Sequence, residues 1–131
     1  MAVILVVDDE PVVLRSVTGA LHHAGFSVLP ANSPREALHI GTTHVAAIDL
    51  MICDVLMPDL TGPRLAEQFL LLHPETKLLF MAGLPDHPEV REFIMAPCRA
   101  FLAKPFLPRD LVAKVNSLLN TPPPLALSAG I

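Results

Sequence analysis

Three consecutive carboxylates end the first apolar run of the sequence. The stretch VILVVDDEP, residues 3–11, passes directly from aliphatic side chains to Asp8, Asp9 and Glu10. Adjacent like charges raise one another's pKa values, so such a cluster needs a compensating group. One interpretation is that these acids precede a helix, where carboxylates are stabilising. The other is that a cation belongs between them.

Two further charged residues follow apolar runs in the same way. Asp54 comes after AIDLMIC, and Lys104 comes after AFLA. A hard divalent cation prefers oxygen ligands, and Mg²⁺ is usually held by a few carboxylates together with water. A carboxylate beside such a cation and an ammonium can attack a phosphoryl group. Together with Asp8 and Asp9, these residues are candidates for a phosphoryl-transfer site.

The elements that must position these residues alternate along the chain. Short apolar runs predict five strands, at 3–7, 26–31, 47–53, 77–83 and 100–103. Apolar residues at helical spacing predict helices from Pro11 to Gly25, from Ser33 to Gly41, from the 55–62 loop to Pro74, over 87–95, and from KPF to Leu119. This alternation implies right-handed crossovers and a parallel sheet covered on both faces. Ligands of such sheets bind beyond the carboxyl ends of the strands, where all the candidate residues stand.

Two helix boundaries carry specific signals. In SPRE, Ser33 is expected to cap the second helix, with Pro34 at its first position and Glu36 as the capping-box partner. Gly25 is expected to end the first helix.

Composition limits the class of protein. The chain has 131 residues, of which 52% are hydrophobic and 17% charged, so one globular domain is expected over residues 1–120. The proline-rich stretch 121–131 is interpreted as a tail or a truncated linker. The net charge is −4 and there is no run of Lys or Arg, which argues against nucleic-acid binding and against binding to anionic membranes.

Location and redox state follow from the same composition. No apolar stretch approaches the roughly 20 residues of a membrane span, and the N-terminus lacks a signal-type pattern, so a cytoplasmic location is expected. Cys53 and Cys98 are interpreted as small hydrophobic residues in a reducing compartment rather than as a disulfide.

The sequence resembles a response-regulator receiver domain of two-component signalling, of the chemotaxis-regulator type. The stretches VVDDEP, CDVLMPDLTG, FMAG and LAKPF stand in the family's order and spacing over residues 3 to about 119. The resemblance implies an α/β, flavodoxin-like, doubly wound (βα)5 fold whose five-stranded parallel sheet has the order 2-1-3-4-5. It also implies a protein that is not an enzyme beyond catalysing its own phosphorylation and dephosphorylation.

The resemblance gives each matching residue a role. Asp54 aligns with the phosphoacceptor, and Lys104 aligns with the lysine that contacts the phosphoryl group. Asp9 aligns with the direct Mg²⁺ ligand, and Asp8 with the carboxylate that acts mainly through metal-bound water. Leu56 would offer its backbone carbonyl to the metal. The peptide bond between Lys104 and the following proline is expected to be cis, which is uncommon for an X-Pro bond.

The sequence departs from the family at the end of the fourth predicted strand. Most receivers have Ser or Thr there, whose hydroxyl bonds a phosphoryl oxygen while an aromatic residue, here Phe101, turns inward. FMAG places Ala82 at this position. A hydrogen bond to a charged group contributes roughly 1.5–3 kcal/mol, which is comparable with a typical switch energy of about 1–3 kcal/mol. We therefore expect phosphorylation of Asp54 to be retained and the conformational response to be atypical.

Two leucines bear on the lifetime of the phosphorylated state. Leu56 and Leu84 stand where family members flank the path of the hydrolytic water, and polar side chains there can assist hydrolysis. Leucine at both positions predicts a long-lived phosphoaspartate.

Alternatives to a switching receiver remain open. In the first hypothesis, a histidine kinase or phosphotransfer protein donates the phosphoryl group. A downstream protein or output domain then binds the face formed by the fourth predicted helix, the fifth strand and the last helix. The second hypothesis is a pseudo-receiver, an interaction module with little or no phosphorylation-driven switching. An enzyme with an aspartyl intermediate is disfavoured because the chain has no DxDxT motif, and dinucleotide binding because no GxGxxG follows the first strand. The kinase and the oligomeric state, including a homodimer, stay undetermined.

Overall fold

The computed structural model of the chain describes residues 2–83, 88 and 100–120. Five strands and four helices are defined within this part of the chain. The strands are β1 (Val3–Val7), β2 (Ser27–Ala31), β3 (Leu50–Asp54), β4 (Lys77–Ala82) and β5 (Phe101–Ala103), and the helices are α1 (Pro11–His23), α2 (Pro34–Thr43), α3 (Gly62–Leu72) and α4 (Pro108–Leu119). Apart from Pro88, the predicted helix over 87–95 lies outside the described residues, as do Leu84, Cys98 and the predicted tail over 121–131.

The strands form one parallel sheet in the order β2-β1-β3-β4-β5, which confirms the predicted topology. The pairing aligns the carboxyl ends of the central strands. Val7 of β1 is opposite Cys53 of β3, and Asp54 is opposite Met81 of β4. Residues that directly follow these strands therefore meet at one edge of the sheet.

Both faces of the sheet are covered, as the continuous apolar runs predicted. One face packs against α2 and α3, and its core is made of Leu5, Val7, Met51, Cys53, Phe80, Ala82, Ala37, Leu65, Ala66, Phe69 and neighbouring residues. The other face packs against α1 and α4, and its core is made of Ile4, Val6, Leu50, Ile52, Leu79, Met81, Val17, Leu21, Leu111 and Val115. The two cores hold the strand ends that carry the candidate residues in a fixed frame.

The predicted helix boundaries are largely confirmed. Ser33 Oγ accepts the backbone N–H of Glu36 at 3.1 Å, and Glu36 Oε1 accepts the N–H of Asn32 at 3.0 Å. Gly25 follows α1 with φ +97°, a conformation that favours glycine. Among the helices of the described residues, none combines the length and the apolar character that crossing a membrane requires.

The third strand begins later than the sequence predicted. It was expected over 47–53 and is observed over Leu50–Asp54. Its neighbour β1 begins only at Val3, which is level with Asp49 in the observed register. The Asp49 carboxylate, rather than a backbone carbonyl, accepts the N–H of Val3 at 2.8 Å. Asp49 itself still bonds Val3 and Lys77 through its backbone, and the residues before it lie beyond the start of β1. The other strand limits differ from the predicted ones by one residue or less.

Candidate functional site

The sheet brings three of the predicted site residues into contact. Asp8 directly follows β1, Asp54 is the last residue of β3, and Lys104 directly follows β5. The Nζ atom of Lys104 lies 3.0 Å from Oδ2 of Asp8 and 3.1 Å from Oδ2 of Asp54. One ammonium therefore donates to two carboxylates at the carboxyl edge of the sheet.

Burial makes this pairing necessary. Asp8 is completely buried, and the side chain of Asp54 is 10% exposed. Charges removed from water are costly unless an opposite charge and hydrogen bonds compensate them. Lys104, with a side chain 16% exposed, supplies that compensation but brings one positive charge to two carboxylates. The site is left with an excess of negative charge.

The pKa values of Asp54 and Lys104 depend on both their burial and the charges beside them. Burial raises the pKa of Asp54 above its ordinary value, and repulsion from Asp8 adds to this, although Lys104 and the backbone N–H of Leu56 oppose it. Burial would lower the pKa of Lys104, but the carboxylates of Asp54 and Asp8 outweigh it and raise that pKa. The Lys104 ammonium is therefore firmly protonated, and the Asp54 carboxylate lacks full compensation.

A turn after β1 determines which of the three consecutive acids lie near Asp54. Asp8 Oδ1 accepts the backbone N–H of Glu10 at 2.9 Å, which closes a turn ahead of α1. The turn places Glu10 beside the buried pair, and carboxylate oxygens of Asp8, Glu10 and Asp54 all lie within 4.8 Å of one another. Asp9, the predicted direct metal ligand, is exposed and is not part of this group in the described structure.

Glu10 thus lies within this group of carboxylates, although the sequence predicted metal-binding roles only for the two acids before it. The sequence feature that could have pointed to Glu10 is its position as the third consecutive acid of VVDDEP. Helix capping does not explain it, because Glu10 is the N-cap residue of α1 but its side chain makes no capping hydrogen bond.

The start of α3 is tightly packed against Asp54. Gly62 donates its N–H to the carbonyl of Val55 at 2.8 Å. A Cβ atom at Gly62 would overlap the backbone carbonyl oxygen of Asp54 and crowd Sγ of Cys53, so glycine is required for this approach. Leu56, predicted to offer its carbonyl to a metal, is half-buried, and its backbone N–H lies close enough to Asp54 to oppose the rise in the pKa of that carboxyl. These contacts fix the backbone of the Asp54 loop.

Cys53 has the character that its sequence context predicted. It is a free cysteine, 1% exposed and within the core. Burial, together with the nearby Asp54 and Asp8 carboxylates, strongly raises the pKa of its thiol. The thiol stays protonated and acts as a small apolar side chain.

The predicted switch residues lie beside the same site. Ala82 is 4% exposed and ends β4, where its carbonyl accepts the N–H of Lys104 at 2.9 Å. Phe101 begins β5, is half-buried, and packs against the core that contains Ala82. The Lys104–Pro105 peptide bond is cis, as predicted.

Comparison with known proteins gives a consistent picture. The family model of the response regulator receiver domain matches residues 4–116. The chain is 32% identical over 119 residues to the sensor kinase CckA of Brucella abortus, covering 91% of this chain and 13% of that protein. It is 31% identical over 114 residues to the transcriptional regulatory protein CreB of Escherichia coli, covering 87% of this chain and 49% of that protein. The chain therefore spans half or less of the length of these relatives.

Solved structures agree with the sequence comparison. The crystal structure of a response regulator receiver domain protein from Clostridium thermocellum superposes with a TM-score of 0.79 and 30% identity, covering 92% of this chain and 95% of that chain. Receiver domains of two-component systems are in general non-enzymatic signalling modules. They bind Mg²⁺ at an acidic pocket and interact with histidine kinases or phosphotransfer proteins and with output domains. The matched family model, the shared fold and the acidic strand ends together show that this chain belongs to the response regulator receiver domain family.

Proposed function

We propose that the chain accepts a phosphoryl group on Asp54 from a histidine kinase or a phosphotransfer protein, and that phosphorylation controls its binding to a partner or output domain. The observation that carries this proposal is the contact of Lys104 with both Asp8 and Asp54 at the carboxyl edge of the sheet. This arrangement combines a nucleophile, a fixed positive charge and a group of carboxylates suited to a cation.

The donor set fits Mg²⁺. Hard carboxylate oxygens converge at the site, two of them on buried side chains whose negative charge Lys104 does not fully balance. The residues that would hold the ion are Asp8, Asp9, Asp54 and the backbone carbonyl of Leu56, where Asp9 must turn inward from its exposed position. When bound, Mg²⁺ would add positive charge beside Asp54 and the incoming phosphoryl group.

The chain's own residues supply the nucleophile and one positive charge for the transfer. A carboxylate oxygen of Asp54 attacks the phosphorus of a phosphohistidine, the phosphorus–nitrogen bond breaks, and the imidazole leaves with the electron pair. The product is an acyl phosphate on Asp54. The Lys104 ammonium, 3.1 Å from the nucleophile, stabilises the negative charge on the transferring oxygens. The Asp54 side chain is 10% exposed at this edge, which gives a donor a path of approach.

The signalling unit is taken as residues 1–120. Its output surface is proposed to include β5 and α4, because Phe101 on β5 packs directly against the core that contains Ala82. A change at the site can reach that surface through Ala82 and Phe101.

A pseudo-receiver is the second candidate, and Ala82 favours it. This buried methyl group cannot donate the hydrogen bond by which a Ser or Thr would detect the phosphoryl group. In this case the chain would bind its partner with little dependence on phosphorylation.

Intact-mass spectrometry separates these functions at their first step. The chain is incubated with acetyl phosphate in the presence of Mg²⁺ or of a chelator, beside Asp54→Asn as the matched variant. We expect one added phosphoryl group in the natural chain with Mg²⁺ and none in the other samples. A folded natural chain that gains no mass would contradict the phosphoacceptor and leave the interaction module as the function.

A further inference from the structure

We propose that Glu10 is an additional cation-binding residue of this site, supplying an oxygen to a hard divalent cation directly or through one bound water. This inference rests on the proposed function, because it adds a residue to the same metal site. It gives a role to the one acid of VVDDEP to which the family resemblance assigns none.

Glu10 has carboxylate oxygens available for a cation. Asp8 already uses Oδ1 for the N–H of Glu10 and Oδ2 for the ammonium of Lys104. Asp54 already uses Oδ2 for the same ammonium. The Glu10 carboxylate, in contrast, has no hydrogen bond or ion pair with any residue in the described part of the chain. Within the group of three acids, it is the one with both carboxylate oxygens unengaged.

Glu10 also lies where a cation would enter the site. Glu10 is exposed, whereas Asp8 and Asp54 are buried, yet its carboxylate oxygen lies within 4.8 Å of theirs. A cation arriving from solvent therefore meets Glu10 at the mouth of the site before it reaches the buried pair. The turn closed by Asp8 Oδ1 holds the Glu10 backbone, so little ordering is needed for its side chain to bind.

Charge also favours a role for Glu10. The carboxylates of Asp8 and Asp54 and the ammonium of Lys104 have a formal net charge of −1, and Glu10, whose carboxylate oxygen lies within 4.8 Å of theirs, brings it to −2. Asp9 adds a further negative charge only when it turns inward, so Glu10 supplies half of the charge that attracts the ion while Asp9 is exposed.

The test is a titration with Mn²⁺ as the probe, in which electron paramagnetic resonance measures the free ion, followed by competition with Mg²⁺. The natural chain is compared with Glu10→Gln and with Glu75→Gln. Glu75 is a suitable control because it is exposed and precedes β4, at the opposite edge of the sheet. Thermal unfolding without metal verifies that each variant is folded, and the exposed position of Glu10 makes loss of folding unexpected.

We expect Glu10→Gln to bind Mn²⁺ and Mg²⁺ roughly tenfold more weakly while Glu75→Gln binds normally. A Glu10→Gln affinity equal to that of the natural chain overturns the assignment of Glu10 and leaves the metal site of the proposed function intact. Equal losses in both variants also overturn it, because they indicate a general charge effect. A natural chain that binds neither ion contradicts the metal site itself.

Discussion

The ammonium of Lys104 lies 3.1 Å from Oδ2 of Asp54, a contact between residues 50 positions apart in the chain. The same ammonium also bonds Asp8. In the proposed function, this is the position from which Lys104 contacts a phosphoryl group on Asp54. Because it partly neutralises the site, it also competes with a cation for the same carboxylates.

This competition predicts an unusual effect of Lys104→Gln on metal binding. Removing the ammonium leaves two buried carboxylates uncompensated, so the free energy of unfolding without metal should fall by about 2 kcal/mol. The affinity for Mg²⁺ should rise about fivefold because the competing charge is gone. Unfolding followed by circular dichroism, with and without Mg²⁺, measures both effects. Lys114→Gln on α4 is the control, and weaker Mg²⁺ binding in Lys104→Gln would contradict the prediction.

The acidity of Asp54 predicts a pH dependence of stability. Burial raises the folded-state pKa of Asp54 above the unfolded one, so its stabilising contribution is fully present below the unfolded pKa and is lost as the pH rises through the folded pKa. The Asp54→Asn variant has no ionisable group at this position, so its stability should not fall over this pH range. At neutral pH without metal, we expect the variant to be more stable than the natural chain by about 1 kcal/mol. Urea unfolding of both proteins across acidic and neutral pH gives their free energies of unfolding. If these free energies depended on pH in the same way, burial of the Asp54 carboxylate would not destabilise the folded chain.

Gly62 is predicted to be intolerant of any side chain. A Cβ atom there meets the Asp54 backbone, which has no room to move, so Gly62→Ala should lower the free energy of unfolding by about 2 kcal/mol or more. Gly19→Ala is the matched control, since Gly19 is exposed within α1 and a Cβ atom there meets nothing within 4 Å. That change should stabilise the chain by roughly 0.5–1 kcal/mol. If chemical unfolding gave the same change in free energy for Gly62→Ala and Gly19→Ala, the close contact between Gly62 and the Asp54 backbone would be ruled out.

Ala82→Thr is predicted to strengthen the phosphorylation-dependent conformational response relative to that of the natural chain. The added hydroxyl can donate to a phosphoryl oxygen, and one such bond should shift the conformational equilibrium roughly tenfold. Ala82→Val is the control, because it fills a similar volume without a hydroxyl. Amide hydrogen exchange of β5, with and without acetyl phosphate, reports the response. If Ala82→Val changed the hydrogen exchange of β5 as much as Ala82→Thr does, the response would be due to packing and not to the hydroxyl group.

Leu56 is predicted to prolong the phosphorylated state. An acidic or amide side chain at this half-buried position can orient the hydrolytic water, so Leu56→Asn should shorten the half-life of the phosphoaspartate roughly tenfold. Leu56→Met keeps the apolar character and should leave the half-life unchanged. The decay of the phosphorylated mass in Mg²⁺ gives both values. A half-life of seconds in the natural chain would already argue against shielding by Leu56.

Much of the fold and part of the site could be predicted from the sequence. Continuous apolar runs predicted strands buried on both faces, and the residues that follow those runs predicted the contact of Asp8, Asp54 and Lys104. These predictions succeeded because the ends of parallel strands must share one edge of the sheet, whatever the loops do.

The details that failed depend on contacts that no local pattern shows. The late start of β3 follows from the length of β1 and from the side chain of Asp49. The turn that holds the backbone of Glu10 beside Asp8 depends on one hydrogen bond that Asp8 accepts, and spacing alone does not determine which two of the three adjacent acids lie near Asp54.

If the chain is a phosphoacceptor, the carboxylate of Asp54 becomes an acyl phosphate. Borohydride reduction tests this most directly, because it converts an aspartyl phosphate into homoserine and leaves a free aspartate unchanged. The chain is treated with acetyl phosphate and Mg²⁺, reduced, digested and sequenced by tandem mass spectrometry. Homoserine at position 54 alone is the predicted result. Homoserine in place of Asp8, Asp9 or another acid, with position 54 unchanged, would contradict the assignment of Asp54 as the phosphoacceptor.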